Sequence, residues 1–350
     1  MLACVLTRRP FPGTLPEALQ LIEVDPPALR SRDVMIRVVA STINIDDIHL
    51  AEGTFYRGIP LGRRPSPHRP VIPGSDVAGV IVAVGKSVQS FHIGEAVFGV
   101  QLPFRAKGAW AQFCAVDERW ITKKPESLSF ENAAACGISG LVALSAINML
   151  KMTRGMRIVV VGATGGIGAL AVQLAVRDGA DVIGICGAVN VARARQMGCS
   201  LVLDYNEGPW SQALRSRGIH CVDRVLDLVG GRDTERMGQN VLEKDGMFVT
   251  VVGPERFIGD RPLGWAGVLA VIARVGYRMV RSYIRGPRYI LTGPGLGSGH
   301  MLGDVASAAA AGILPPIDSK VPFVLEPIRE ALRCAAAHQN KGRMVIQISD

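Results

Sequence analysis

The chain has 350 residues, 48% of them hydrophobic and 20% charged, with a formal net charge of +9. That length exceeds what one hydrophobic core usually organises and predicts two domains, while forty glycines and 21 prolines without a repeat period exclude low-complexity and solenoid architectures. The basic residues are not interleaved with aromatics as in a nucleic-acid module, which leaves a solvated surface or attraction of a polyanionic cofactor.

The N-terminal run Met1–Leu6 is apolar but short, and Arg8 and Arg9 follow it, the reverse of a signal peptide's charge order. Seven cysteines are scattered without a Cys-x-x-Cys pair, which predicts free thiols and a reducing, cytoplasmic compartment instead of a disulfide framework.

Arg157–Val161 is a β-branched run suited to a buried parallel strand. It leads into Gly162-Ala163-Thr164-Gly165-Gly166-Ile167-Gly168, then into helix formers from Ala169 to Val176, and Asp181–Cys186 reads as a second strand. In such a unit Gly165 lets the backbone approach a pyrophosphate and Gly168 lets the helix pack on the strand. The free N–H groups of the first helical turn then bind phosphate oxygens. Ile158–Val176 is uncharged and near spanning length, but its glycines divide it, and Leu263–Ala273 is too short to span. No transmembrane segment is expected.

An NAD site usually places a carboxylate at the end of the second strand. Ile185-Cys186-Gly187-Ala188-Val189-Asn190 has none, and Asp178 and Asp181 lie at the strand's other end. This favours NADPH over NADH. Arg193 or Arg195 then either approaches the 2′-phosphate or is a solvated helix residue. Further on, Arg274, Arg278, Arg281 and Arg285 share one helix face, with Ile272, Met279 and Tyr283 roughly opposite. Two readings are open: an amphipathic helix packed on the protein with solvated arginines, or contact with an anionic surface such as membrane headgroups or an acidic carrier. No Ser/His/Asp or Cys/His arrangement and no carboxylate pair is legible, so hydrolase chemistry is not expected.

Pro73-Gly74-Ser75-Asp76-Val77-Ala78-Gly79, Val84-Gly85 and Phe91-His92-Ile93-Gly94-Glu95-Ala96-Val97-Phe98-Gly99 resemble the substrate-domain signature of medium-chain dehydrogenases/reductases. Lys124-Pro125, Ala133-Ala134-Ala135, Asp204-Tyr205, Asp227-Leu228-Val229-Gly230-Gly231 and Lys341-Gly342-Arg343-Met344-Val345 extend the resemblance, in family order, across nearly the whole chain. The glycine turn resembles that of the zinc-independent quinone oxidoreductases, and Gly276–Pro315 is similar to the mitochondrial reticulon-interacting oxidoreductase group.

The resemblance implies an α/β fold. A GroES-like, mainly β substrate domain spans 1–125 and 300–350, and a Rossmann doubly wound parallel sheet spans 126–299, with the cofactor in the cleft between them. It further implies a homodimer acting on a small molecule, with no nucleic acid. The cofactor residues it points to are Ala163, Thr164, Gly165, Gly166, Ile167, Gly168, Gly187, Arg193, Tyr205, Val229, Val252, Gly253 and Arg343. The serine and lysine that the family usually sets at the adenosine phosphate are Gly187 and Val191 here. The positions that hold catalytic zinc in metal-dependent relatives look like Asn44, Ser75, Cys136 and Asp76, which cannot form a three-ligand site, so no metal is expected.

Hydride transfer to a quinone or an activated C=C bond needs only hydrogen-bond donors at the developing oxyanion. Asn44-Ile45-Asp46-Asp47-Ile48-His49 resembles the family's segment beside the nicotinamide. Asn44 and His49, with Tyr56 (or Phe55 as its alternative match), are the candidate catalytic residues. Each has a plainer alternative: Asn44 as a turn former, Asp47 as a helix cap, His49 as a surface residue. The function expected is an NADPH-dependent quinone or enone reductase, with an enoyl-thioester reductase or a non-catalytic nucleotide-binding relative as alternatives.

Overall fold

The computed structural model describes residues 1–53, 65–101, 107–254, 265–293 and 298–349. They divide into two compact units, 1–141 with 298–349, and 142–254 with 265–293.

Strands β1 (Leu2–Val5) and β2 (Gln20–Glu23) pair antiparallel. The first unit continues with β3 (Asp33–Ile43), β4 (Asp76–Val84), β5 (Ala96–Val100), β6 (Phe113–Asp117) and β7 (Ile121–Lys123). The second unit contributes β8 (Arg157–Val161), β9 (Asp181–Cys186), β10 (Leu201–Asp204), β11 (Val222–Asp227), β12 (Leu242–Thr250) and β13 (Arg288–Leu291). The chain then returns to the first unit as β14 (Ile317–Pro322) and β15 (Arg343–Gln347).

The first sheet runs β14-β15-β3-β4-β5-β7, with β6 also on β3. Val34, Ile36, Val38 and Ala40 of β3 are fully buried while the residues between them are partly exposed, the period of two expected of a strand with one covered face. β15 lies antiparallel to β3, from Met344 opposite Ile43 to Gln347 opposite Ala40. This pairing makes the unit discontinuous in sequence, because its sheet needs a strand from the C-terminal segment.

The first unit also runs on to Leu141, past the boundary that the sequence suggests at 125. The early part of the helix Phe130–Leu150 belongs to it for a packing reason. A Cβ on Gly137 would stand 2.3 Å from Asp76 Oδ1, and one on Gly140 2.5 Å from Val305 Cγ1, so only glycine permits this approach. By length and composition that helix could cross a membrane, but 78% of its most apolar window is buried, as in a core helix.

In the second unit every strand pair is parallel, in the order β10-β9-β8-β11-β12-β13. This is the doubly wound order, which reverses between β8 and β11. Ile158, Val159 and Val160 are fully buried, because helices cover both faces of such a sheet. Val159, Ile183, Leu203, Trp210, Val225 and Phe248 share one core, and Phe248 stacks on Tyr289 with ring centroids 5.6 Å apart. The uncharged run 158–176 divides into β8 and the helix Gly166–Arg177, as its glycines predict. The run from Leu263 opens outside the described residues and continues as the helix Trp265–Ile284.

Candidate functional site

The carboxyl ends of the parallel strands gather most of the residues expected at a nucleotide. After β8 the chain turns at Gly162, whose φ of 83° favours glycine. The N–H groups of Gly162 and Ala163 bond to Ile185 O, tying the turn to β9. A Cβ on Gly168 would lie 2.0 Å from Gly162 O, so glycine there sets how closely the helix approaches the turn. A Cβ on Gly165 would meet only Gly162 O, at 3.6 Å. Gly165 is therefore dispensable to the fold and keeps open the space in front of the turn. Gly165 is also the N-cap, and with no side chain to accept the first-turn N–H groups it leaves the amides of Gly166, Ile167 and Gly168 directed outward at the positive helix end.

Around this turn, Gly187 follows β9 and Tyr205 follows β10. The Tyr205 hydroxyl would stand 3.1 Å from a Cβ at Gly187, so the ring occupies the room a larger residue would need, while the side chain as a whole remains 60% exposed. No acid ends β9, as expected. Asp204 pairs in register with Cys186 on the adjoining strand, but its carboxylate accepts from Asn206 N and Nδ2, both at 2.9 Å. Arg193 is half-buried in the short helix Val191–Gln196 and Arg195 is exposed.

Val229, Val252 and Gly253 are held by Asp227 and Thr250, a pair that only the fold brings together. Buried Asp227 accepts from Val229 N at 3.0 Å and Gly230 N at 2.8 Å through Oδ1, and from Thr250 Oγ1 at 2.9 Å through Oδ2. Thr250 Oγ1 in turn accepts from Val252 N and Gly253 N. Burial pushes the Asp227 carboxyl upward against the pull of these donors.

The first unit holds a second polar cluster, built around Asp76. Gly74, at φ 103°, brings Ser75 and Asp76 in behind the fully buried Trp110, whose indole N–H donates to Thr42 O at 3.0 Å. Asp76 is fully buried. Its Oδ1 accepts from Ile138 N at 2.6 Å, and its Oδ2 from Thr42 Oγ1 at 2.5 Å, Asn44 Nδ2 at 3.0 Å and Arg343 Nη2 at 2.7 Å. Arg343, assigned by resemblance to the cofactor, thus has its guanidinium on Asp76 and Thr42 within its own unit.

Asn44 requires a correction. Its amide nitrogen was expected to donate to a substrate oxygen, but it faces Asp47 Oδ2 at 3.2 Å, Asp76 Oδ2 at 3.0 Å, Ser75 Oγ at 3.2 Å and Thr42 Oγ1 at 3.3 Å. Its two hydrogens thus have the buried carboxyl groups of Asp47 and Asp76 within reach. Asn44 N also donates to Asp47 Oδ2 at 3.0 Å, so Asn44 and Asp47 cap the helix Ile45–Glu52, as the plainer alternative had it. His49, on that helix, is buried and not a surface residue. Tyr56 and Phe55 lie outside the described residues.

Burial pushes the Asp47 carboxyl from its ordinary 3.8 up to about 7, opposed by the Ser75 hydrogen bond and reinforced by the neighbouring Asp76. Between about pH 4 and pH 7 the folded chain therefore keeps a proton that the unfolded chain has released, so this group's contribution to stability falls as pH rises. Denaturant titrations of the wild type and Asp47→Asn across that range test this. The variant is expected to gain on the wild type as pH rises to about 7 and to hold level above it. A pH-independent difference would mean an ordinary carboxyl.

The described residues define a class of fold: two units, one with a doubly wound, nucleotide-type parallel sheet and one mainly β. Comparisons with known proteins agree. An "Alcohol dehydrogenase GroES-like domain" matches residues 30–126 and a "Zinc-binding dehydrogenase" domain matches residues 197–346. The human mitochondrial NAD(P)H oxidoreductase RTN4IP1 is 30% identical over 331 residues, covering 90% of this chain and 82% of its own. The chloroplast envelope quinone oxidoreductase homolog of Arabidopsis thaliana is 31% identical over 67% of this chain and 71% of its own. The quinone oxidoreductase structure from Coxiella burnetii superposes with a TM-score of 0.77 at 23% identity, covering 100% of this chain and 99% of that one, and supports the fold. The chain belongs to the medium-chain dehydrogenase/reductase superfamily of oxidoreductases.

One matching family is named for zinc, but the residues at the corresponding place do not fit that ion. Of Asn44, Ser75, Asp76 and Cys136, one is a thiol, and the Asp76 carboxylate is already paired with the Arg343 cation. Among the described residues no three His, Cys, Asp or Glu side chains converge as a metal site.

Proposed function

We propose that the chain is an NADPH-dependent reductase that passes hydride to a quinone or to the activated double bond of an enone, with no metal in the reaction. The observation that supports this reading is the lack of an acid in the residues just past β9. A carboxylate at the end of β9 would bind a ribose 2′-hydroxyl and repel a 2′-phosphate. Here the strand ends at Cys186 and is followed by Gly187 and Ala188, with Arg193 in the helix beyond.

The nicotinamide supplies the hydride when bound. The chain's own residues bind and orient it: the amides of Gly166, Ile167 and Gly168 take the diphosphate, with Ala163 and Thr164 in the same turn. Tyr205 and Gly187 flank the adenosine side, and the loops ordered by Asp227 and Thr250 present Val229, Val252 and Gly253. An acceptor that is already electron-poor needs no Lewis acid, because hydrogen bonds suffice to stabilise the charge that develops on its oxygen. His49 and Tyr56 are the proposed donors. Asn44 is a positioning residue that caps the helix carrying His49. The names of the human and Arabidopsis relatives, NAD(P)H oxidoreductase and quinone oxidoreductase homolog, support the same chemistry. A cytoplasmic homodimer completes the proposal.

Steady-state oxidation of NADPH and NADH against a panel of quinones, enones and enoyl-thioesters tests it, before and after dialysis against a strong chelator. Turnover with quinone or enone, preferring NADPH and indifferent to the chelator, is expected. Arg193→Ala should raise KM for NADPH by about tenfold, roughly one lost charged hydrogen bond, and leave KM for NADH unchanged. Activity confined to enoyl-thioesters, or lost with the metal, would overturn it.

A further inference from the structure

The helix Trp265–Ile284 spans 20 residues and presents three faces, where a helix packed on a sheet ordinarily presents two. One face is anchored: Val275 and Ser282 are buried, Met279 packs against the core of the parallel sheet, and Arg278 Nε reaches Glu235 Oε1 at 2.6 Å. The arginine stripe foreseen from the spacing is therefore not wholly solvated, since Arg278 belongs to the anchor. The second face carries exposed Arg274, Arg281 and, just past the helix end, Arg285.

The third face is apolar and open. Leu269, Ile272, Tyr277, Val280, Tyr283 and Ile284 are between 61% and 77% exposed. At about 3.6 residues per turn they lie on one side of the helix, with the exposed arginines along one margin. Of the two readings the spacing left open, Ile272 and Tyr283 do not follow the one that packs them on the protein, since both face outward. Arg288, with its guanidinium 4.3 Å from the Tyr283 ring centroid, adds a further cation beside the patch.

We propose that this face docks on a membrane leaflet rich in anionic lipid headgroups. An amphipathic helix lying in the interfacial plane combines these features: large apolar and aromatic side chains at the acyl boundary, with arginines at headgroup level. Charge decides against a second copy of the chain as the occupant. A two-fold contact would set the patch and its arginines against themselves. From Arg261 to Gly303 the sequence has no Asp or Glu with which to pair them. Anionic lipids supply charge of the opposite sign beside exposed Arg281, Arg285 and Arg288, at the C-terminal end of the helix and just past it.

Flotation of the full-length protein with vesicles of phosphatidylcholine alone, and of phosphatidylcholine with phosphatidylglycerol in equal parts, tests the proposal. Binding is expected only to the anionic vesicles and should weaken as salt is added. Arg281→Gln with Arg285→Gln should lower partitioning by about fivefold per arginine removed. Leu269→Ser with Val280→Ser should lower it further, with thermal midpoints unchanged for both pairs. Two results would overturn the proposal: no flotation with anionic vesicles, or a dimer in solution that Val280→Asp converts to monomer while lipid binding is absent.

Discussion

Gly168→Ala is expected to destabilise the second unit and abolish nucleotide binding, whereas Gly165→Ala is expected to fold as the wild type does and lose affinity alone. At Gly168 the added methyl would sit 2.0 Å from Gly162 O, which is backbone and has no rotamer to yield. Either the helix retreats from β8 or the turn opens, at about 1–3 kcal/mol for an overpacked site, and either movement redirects the first-turn amides. At Gly165 the methyl meets nothing closer than 3.6 Å, and its only obstruction is to whatever approaches the turn. A loss of about tenfold or more in NADPH affinity, about 1.4 kcal/mol, with an unchanged denaturation midpoint is the expected signature. Calorimetry and chemical denaturation on both variants read the two quantities separately. Equal nucleotide affinity in Gly165→Ala and the wild type would remove the glycine turn from the binding site.

Asp76→Ala is expected to be among the most destabilising single changes in the first unit, at about 3–5 kcal/mol, because it strands a buried guanidinium. Arg343 is nearly inaccessible, and its Nη2 has Asp76 Oδ2 at 2.7 Å and Thr42 Oγ1 at 2.5 Å as acceptors. Removing the carboxylate also releases Ile138 N and Asn44 Nδ2 from their shared acceptor. Adding Arg343→Met should recover a large part of the loss, since the uncompensated charge then disappears with its partner. Thermal or urea unfolding of the two single variants and the double variant gives the coupling directly. Strict additivity would mean that the two side chains do not act as a pair.

Much of the second unit was legible in the sequence because its signals are local. β8, the glycine turn, the helix behind it and β9 lie within thirty residues. Their chemistry follows from which residues tolerate a sharp turn and a close approach. The cluster at Asp76 was not legible. Thr42 and Arg343 are 301 positions apart, and no periodicity connects them. The sequence showed Asn44 as an amide near a family motif. It could not show that its hydrogens are taken by Asp47 and Asp76, because hydrogen-bond partnership is settled by which buried acceptors fold brings within reach. The helix Trp265–Ile284 differs again, since spacing alone revealed its arginines but left open whether Ile272 and Tyr283 pack on the protein. Helical periodicity says which residues share a face, and only the neighbouring sheet says which face is covered.

The sequence by itself therefore determined the two-domain class, the glycine turn between β8 and its helix and the lack of an acid after β9, all properties of contiguous residues. The tertiary structure alone decided that Arg343 pairs with Asp76, that the Asn44 amide faces Asp47 and Asp76, and that one apolar helix face stays open. Each of these depends on contacts between distant segments, where burial sets the strength of a charge and packing sets whether a side chain meets protein or solvent.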